Sequence, residues 1–416
     1  MRRILIIGAA VIVLIGIGVG VYFLLFAGKA KIVGTGGVPS FPSAGDSGVT
    51  PTEQKTTQDL GVPVGGAGTE VAPRLIRISD KPVALGGVAV YVPGILAPAS
   101  TTVTTASTTQ MAHDPDVRIE YIERESGNVY DFEAHARTLT RLTNKTLPGI
   151  QTATWLPDGS LAYARFLERS GTDDHIDTYA LPANGSDGYF LEQDLTQVTV
   201  GASSTLLTLL SSTNGSSATI SSASGTNLRT LFNSLLSAIT VSFAGQGFVA
   251  TTKPSSKSDG YAFTIDTKSG TFTRALGPLQ GLTTLPSPNG KFILYSYMDR
   301  NKTSLAVFDV TTHTATRLPL VTYTDKCVWS LTSTSIYCGV PTAFTVATLD
   351  EWYQGASTFS DRLWRIDLQG REAVLLIDPK QAGNVDIDMV GLALDRTNDV
   401  LIFSNKRDGT FWMYDL

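Results

Sequence analysis

The feature that most restricts this chain is a degenerate tandem repeat. Short strand-forming runs end in an apolar residue followed by an acid or small polar residue, then turn into a second run closed by Arg. The clear copies are Phe132-Glu133 with Arg141-Leu142, Ile265-Asp266 with Arg274, and Phe308-Asp309 with Arg317-Leu318; the acid-to-Arg step is eight residues in each. Ser221 and Arg229 keep the same step. Marking the position after each apolar strand end gives Glu133, Ala180, Ser221, Asp266, Asp309, Asp367 and Asp415, at intervals of 47, 41, 45, 43, 58 and 48 residues. Seven units of this period, each built from four short strands, predict an all-β fold, a seven-bladed β-propeller.

The strand assignment has independent support in side-chain alternation. Residues one and three before a marker share one face of a strand. They are Tyr130 and Phe132, Phe263 and Ile265, Ala306 and Phe308, Trp364 and Ile366, and Trp412 and Tyr414. All but Ala306 are large, as expected where one blade packs on the next. Turn residues fall where hairpins are needed: Pro157-Asp158-Gly159 and Pro288-Asn289-Gly290 combine a fixed φ, a capping side chain and a glycine for φ above zero. Asp259-Gly260 and Asp408-Gly409 mark a second set, one hairpin later.

The ends of the repeat predict how the ring closes. The seventh unit stops at Tyr414-Asp415-Leu416, one strand short, while a spare strand, Arg74 to Ser79, precedes the first complete unit. Pairing the two supplies the missing strand and removes an exposed sheet edge. Leu75 to Ser79 is therefore expected as the outer strand of blade 7.

Ser287-Pro288-Asn289-Gly290-Lys291-Phe292-Ile293-Leu294-Tyr295-Ser296, continuing through Leu305 to Asp309 and Arg317-Leu318, resembles the Pro-Asp-Gly-Lys repeat of TolB-type propellers and of the propeller in prolyl-oligopeptidase-like enzymes. Leu401 to Asp415 is similar to the same pattern, and the likeness extends over roughly residues 75 to 416. The resemblance implies the propeller fold and, from the TolB side, a partner role in the cell envelope. The hydrolase of the prolyl-oligopeptidase side is not implied, because the chain carries no Gly-x-Ser-x-Gly nucleophile elbow.

Ahead of the repeat, Ile4 to Phe26 is an uncharged run of 23 residues preceded by Arg2 and Arg3. At helical rise it is about 34 Å long, enough to span a bilayer. Residues 1–30 are read as a single transmembrane signal anchor with a cytoplasmic amino terminus. Phe23 to Phe26 stand where a cleaved signal would need small residues. Gly16 and Gly20 have the spacing that lets two such helices approach, a possible weak dimer contact. Residues 31–73 are a flexible linker: of the 41 residues from Val33 to Pro73, 23 are Gly, Pro, Ser or Thr. Residues 74–416 form the propeller, with a Ser/Thr-rich surface loop at Ala99 to Gln110.

Charge narrows the partner class. The four cations of residues 1–31 face no acid there, leaving 28 basic against 37 acidic residues and a net −9 on the remainder. Such a body lacks the basic face that nucleic acid requires. No catalytic constellation, cofactor motif or metal site is evident: the four His are scattered and two Cys cannot fill a zinc shell. Cys327 and Cys338 flank a hairpin with its midpoint between Thr332 and Ser333, which sets them opposite each other. They form a disulfide in an oxidising compartment, or two buried thiols otherwise.

Two places are candidate binding sites. The 58-residue interval holds an insertion, about Ala347 to Asp361, carrying Asp350, Glu351, Trp352 and Tyr353. Adjacent aromatics beside acids suit recognition; the alternative is a loop folded back with Trp352 plugging a gap between blades. Asp386 and Asp388 alternate with Ile387 and Met389 on the expected channel-lining strand, either a cation-holding pair or a solvated channel wall. The reading is an extracytoplasmic, single-pass propeller that binds or scaffolds an envelope protein, peptide or glycan. The competing reading is a hydrolase or lyase of envelope polymers with its site at the channel mouth, which needs titratable groups converging in one pocket.

Overall fold

The structure, a computed structural model, describes residues 73–94, 114–144, 146–170, 173–300, 302–344 and 349–416. The expected anchor, Gly16 and Gly20, the linker through residue 72 and the loop at 99–110 lie outside the described residues. Among the described residues, no helix is long and apolar enough to cross a membrane.

Seven four-stranded antiparallel sheets account for nearly all the regular structure. Blades 1 to 6 span residues 88–141, 150–190, 197–234, 239–280, 283–317 and 327–377, each in simple up-and-down order. First strands adjoin between blades 2 and 3, 3 and 4, 4 and 5, and 6 and 7, and that of blade 7 meets that of blade 1. Fourth strands lie outermost: Thr138–Arg141 is exposed along its whole length and Thr314–Arg317 nearly so.

Blade 7 takes its first three strands, Met389–Leu394, Val400–Asn405 and Phe411–Asp415, from the end of the chain and its fourth, Leu75–Arg77, from the beginning. The register is Leu75 to Tyr414, Ile76 to Met413 and Arg77 to Trp412. Arg74 clamps the junction, its Nε donating to the Asp415 carbonyl at 2.8 Å and its guanidinium lying over the Tyr414 ring. The expected closure is thus observed, and it satisfies backbone groups that an open edge would leave unpaired.

The repeat's chemistry has a geometric origin. Arg141, Arg274 and Arg317 stand directly across the outer hairpin from Tyr130, Phe263 and Ala306. The apolar positions beside them, Phe132, Ile265, Phe308 and Ile366, are buried, and alternation along the strand carries them into the clusters between blades. Trp412 and Tyr414 do the same between blades 6 and 7, with Tyr337, Leu363, Leu401 and Phe403.

The predicted cysteine hairpin forms between Cys327–Trp329 and Ser335–Pro341, the first two strands of blade 6, with Cys327 opposite Cys338. The two sulfurs are bonded, and the Cα atoms are 4.1 Å apart. In an up-and-down blade, the loop entering the first strand and the loop joining the second to the third open on the same face of the ring. That face, the upper one here, carries the candidate site.

Candidate functional site

The longest upper-face excursion leaves the second strand of blade 6 at Pro341 and returns at Asp361, where the third strand begins. Within it Leu349–Tyr353 forms a short helix with Asp350 and Glu351 in its first turn, a placement that complements the helix dipole. Gly355, at φ +76°, ends it, as a left-handed residue commonly does. Leu349 and Trp352, three residues apart, share the buried side of the helix.

Trp352 is 2% exposed and packs with Tyr323, Phe344, Phe359 and Val390. Its ring centroid is 5.5 Å from that of Tyr323, and Tyr323 meets Phe344 edge-on at 5.7 Å. Of the two sequence alternatives the folded-back one describes its placement. The other residues of the motif fasten or decorate the excursion. Asp350 accepts from the Ser256 amide at 3.2 Å and from its hydroxyl, reaching across to blade 4. Tyr353, 41% exposed, donates its hydroxyl to Asp325 at 2.6 Å, and Glu351 is exposed. On the blade 7 side, Lys406 donates to the Trp352 carbonyl with its ammonium 3.8 Å from the indole centroid, and Arg407 donates to Thr358 at 3.1 Å.

Beneath Trp352 lies a charged cluster that sequence reasoning did not assemble. The Lys326 ammonium donates to Asp361 Oδ2 at 2.5 Å and to Asp388 Oδ1, and all three side chains are 0% exposed. Asp388 also accepts from the Trp352 indole at 3.1 Å and the Phe359 amide at 3.0 Å. Asp361 Oδ2 accepts from the Met389 amide at 2.7 Å, whereas its Oδ1 is buried without a hydrogen-bond partner. Gly339 makes room for it, since a Cβ there would lie 3.1 Å from Asp361 Oδ2 and 2.8 Å from the Met389 Cβ.

Asp386 and Asp388 do not share a face. The innermost strand begins only at Met389, so the preceding residues are not bound to strand alternation. Asp386 turns outward to accept from Lys380 at 2.8 Å and Ser360 at 2.9 Å, while Asp388 turns inward to Lys326. The expected carboxylate pair is therefore replaced by Asp361 with Asp388, joined through a lysine. Among the described residues, no group of three or more His, Cys, Asp or Glu is placed to hold a metal ion.

Burial governs the electrostatics. It raises the Asp361 carboxyl to about 6 against the opposing pull of Lys326, with Asp388 adding to the rise. It lowers the Lys406 ammonium, opposed by Asp388. Asp325 is open to solvent yet ringed by protein, and burial raises its carboxyl in spite of the Tyr353 hydroxyl. The Tyr353 hydroxyl is itself raised well above the usual tyrosine range, first by burial and then by Asp325.

No family model matches the chain, and no curated protein matches it. Solved structures similar to it include an oligogalacturonate lyase in complex with manganese, 8% identical over 72% of this chain and 86% of that one with a TM-score of 0.48. TolB from Acinetobacter baumannii is 12% identical over 62% of each chain with a TM-score of 0.42. Kuenenia stuttgartiensis hydrazine synthase is 12% identical over 72% of this chain and 92% of that one with a TM-score of 0.47. Similarity at this level assigns no chemistry to the chain, and the functional reading rests on its own residues.

Proposed function

We propose that this chain is a membrane-anchored, extracytoplasmic β-propeller that binds a protein, peptide or glycan of the cell envelope through the upper face of blades 4 to 7. The observation that carries the reading is the pinned excursion of blade 6. Asp350 ties it to blade 4, Tyr353 to Asp325, and Lys406 and Arg407 to blade 7. A loop held at several points loses little further freedom on binding, which favours affinity. It presents Glu351, Tyr353, Gln354 and Thr358 to solvent beside Arg407, a polar surface with an aromatic at its centre.

The competing enzyme reading requires acid and base groups that a substrate can reach. Lys326, Asp361 and Asp388 converge, but Trp352 and Phe359 seal them from solvent. This supports binding over catalysis at this mouth. The charge-free run at Ile4–Phe26 supports the anchor, and the Cys327–Cys338 disulfide supports an oxidising compartment.

Cross-linking in native membranes tests the proposal. The full chain is expected to capture a discrete envelope component, and the double variant Glu351→Arg with Tyr353→Ser to lose it while melting as the parent does. Equal capture by the variant refutes docking on this face. Release of the chain into the soluble fraction by alkaline extraction refutes the anchor.

A further inference from the structure

We propose that Lys326 and Asp361 join in an intramolecular amide, an isopeptide bond formed by the folded chain itself, with Asp388 as its proton carrier. The modification lies beyond the binding role and does not depend on any partner. It follows from three features of the cluster: contact, roles set by environment, and exclusion of water.

Contact is the first. Lys326 immediately precedes the first strand of blade 6 and Asp361 opens the third, so the sheet that pairs both strands with Ser335–Pro341 fixes their separation. The Lys326 nitrogen lies 2.5 Å from Asp361 Oδ2. Reactants held at this range behave as though present at about 10⁵ M or more, which offsets the ordinary preference for amide hydrolysis in water.

Environment separates the two carboxylates. Asp388 accepts from the Trp352 indole and the Phe359 amide and touches the Lys326 ammonium, a placement from which it can receive that group's proton. Asp361 leaves Oδ1 unpartnered in a buried position, which favours the neutral acid, the form whose carbonyl carbon accepts an amine. These contacts assign Asp388 as the base and Asp361 as the electrophile. Asp388 takes a proton from the Lys326 ammonium, and the freed amine adds to Asp361 Cγ, forming the C–N bond. The C–OH bond then breaks as Asp388 returns its proton to the departing hydroxyl, which leaves as water. The nitrogen gives up its second proton to Asp388. One water is lost, the amide is neutral, and Asp388 ends with the proton that the ammonium brought.

Water exclusion completes the case. Trp352 and Phe359 lie 5.3 and 5.4 Å from the Lys326 nitrogen and, with Tyr323 and Phe344, roof the cluster. With Asp361 in its neutral form the cluster buries one positive and one negative charge, each of which burial penalises. Condensation removes all of that charge. The bond lies next to the Cys327–Cys338 disulfide, so two covalent links tie the first three strands of blade 6.

Intact-mass measurement of the purified full chain, followed by peptide mapping after reduction, tests the proposal. The expected mass is one water below that of the disulfide-bonded sequence. Mapping should find a branched peptide joining the Lys326 and Asp361 segments, with trypsin unable to cut after Lys326. Asp388→Asn should restore the missing water in a protein that still folds, as read by circular dichroism. A folded wild-type chain of full mass overturns the proposal. So does a water loss confined to one linear peptide, a branch at Asp388 instead of Asp361, or undiminished cross-linking in Asp388→Asn.

Discussion

Glu120 sits in the second strand of blade 1 and is 0% exposed, opposite Asp131 on the third strand and against the blade 2 turn at Gly159. Arg118 donates to one of its oxygens; the other, Oε2, is buried without a hydrogen-bond partner. Burial outweighs Arg118 and raises the carboxyl from 4.5 to about 7. Because the folded value lies above the unfolded one, the fold takes up a proton as pH falls through that window. The resulting stability is fully present below the unfolded value and is lost as pH rises through about 7. The shift corresponds to about 3 kcal/mol in full, most of which falls between about pH 8 and about pH 5. Glu120→Gln keeps the shape and removes the titration. Urea denaturation of both proteins across that range should show wild type gaining about 2–3 kcal/mol on the variant toward acid. A difference that stays flat, or that grows toward alkaline pH, would refute the reasoning.

Gly339→Ala places a methyl 2.8 Å from the Met389 Cβ and 3.1 Å from Asp361 Oδ2, and should cost about 1–3 kcal/mol in denaturation, whereas an unchanged midpoint would show that the innermost strand of blade 7 yields freely. Cys338→Ser opens a cross-link between residues eleven apart in sequence and should lower stability by about 2–4 kcal/mol while the chain still folds; denaturation under identical conditions checks it.

How much was legible in sequence follows from how local each signal is. The acid-to-Arg step spans one outer hairpin, so Glu133, Asp266 and Asp309 mark blades even where identity between blades is low. The cysteine pairing was legible because a hairpin's midpoint alone sets which residues face. Closure was legible because a missing strand at one end matched a spare one at the other.

The buried cluster was not legible, since Lys326 and Asp361 lie far apart in sequence at the ends of two blade 6 strands, and Asp388 joins them only when blade 7 packs on blade 6. Each stands within a residue of a strand's first position, a weak signal shared by many polar residues. Strand alternation misassigned Asp386 and Asp388 because the innermost strand starts only after both, at Met389. The aromatics of the insertion could be read as surface or plug from sequence alone; Tyr323, more than twenty residues upstream in the entry loop of blade 6, provides the wall that buries Trp352.

Ring closure by the two ends of the folded body underlies every placement above. Replacing the paired residues Ile76→Cys and Met413→Cys in the full chain tests it directly. The closed ring predicts a second disulfide, linking the two introduced cysteines, when the protein folds under oxidising conditions. Two freely labelled thiols in the folded protein would contradict it.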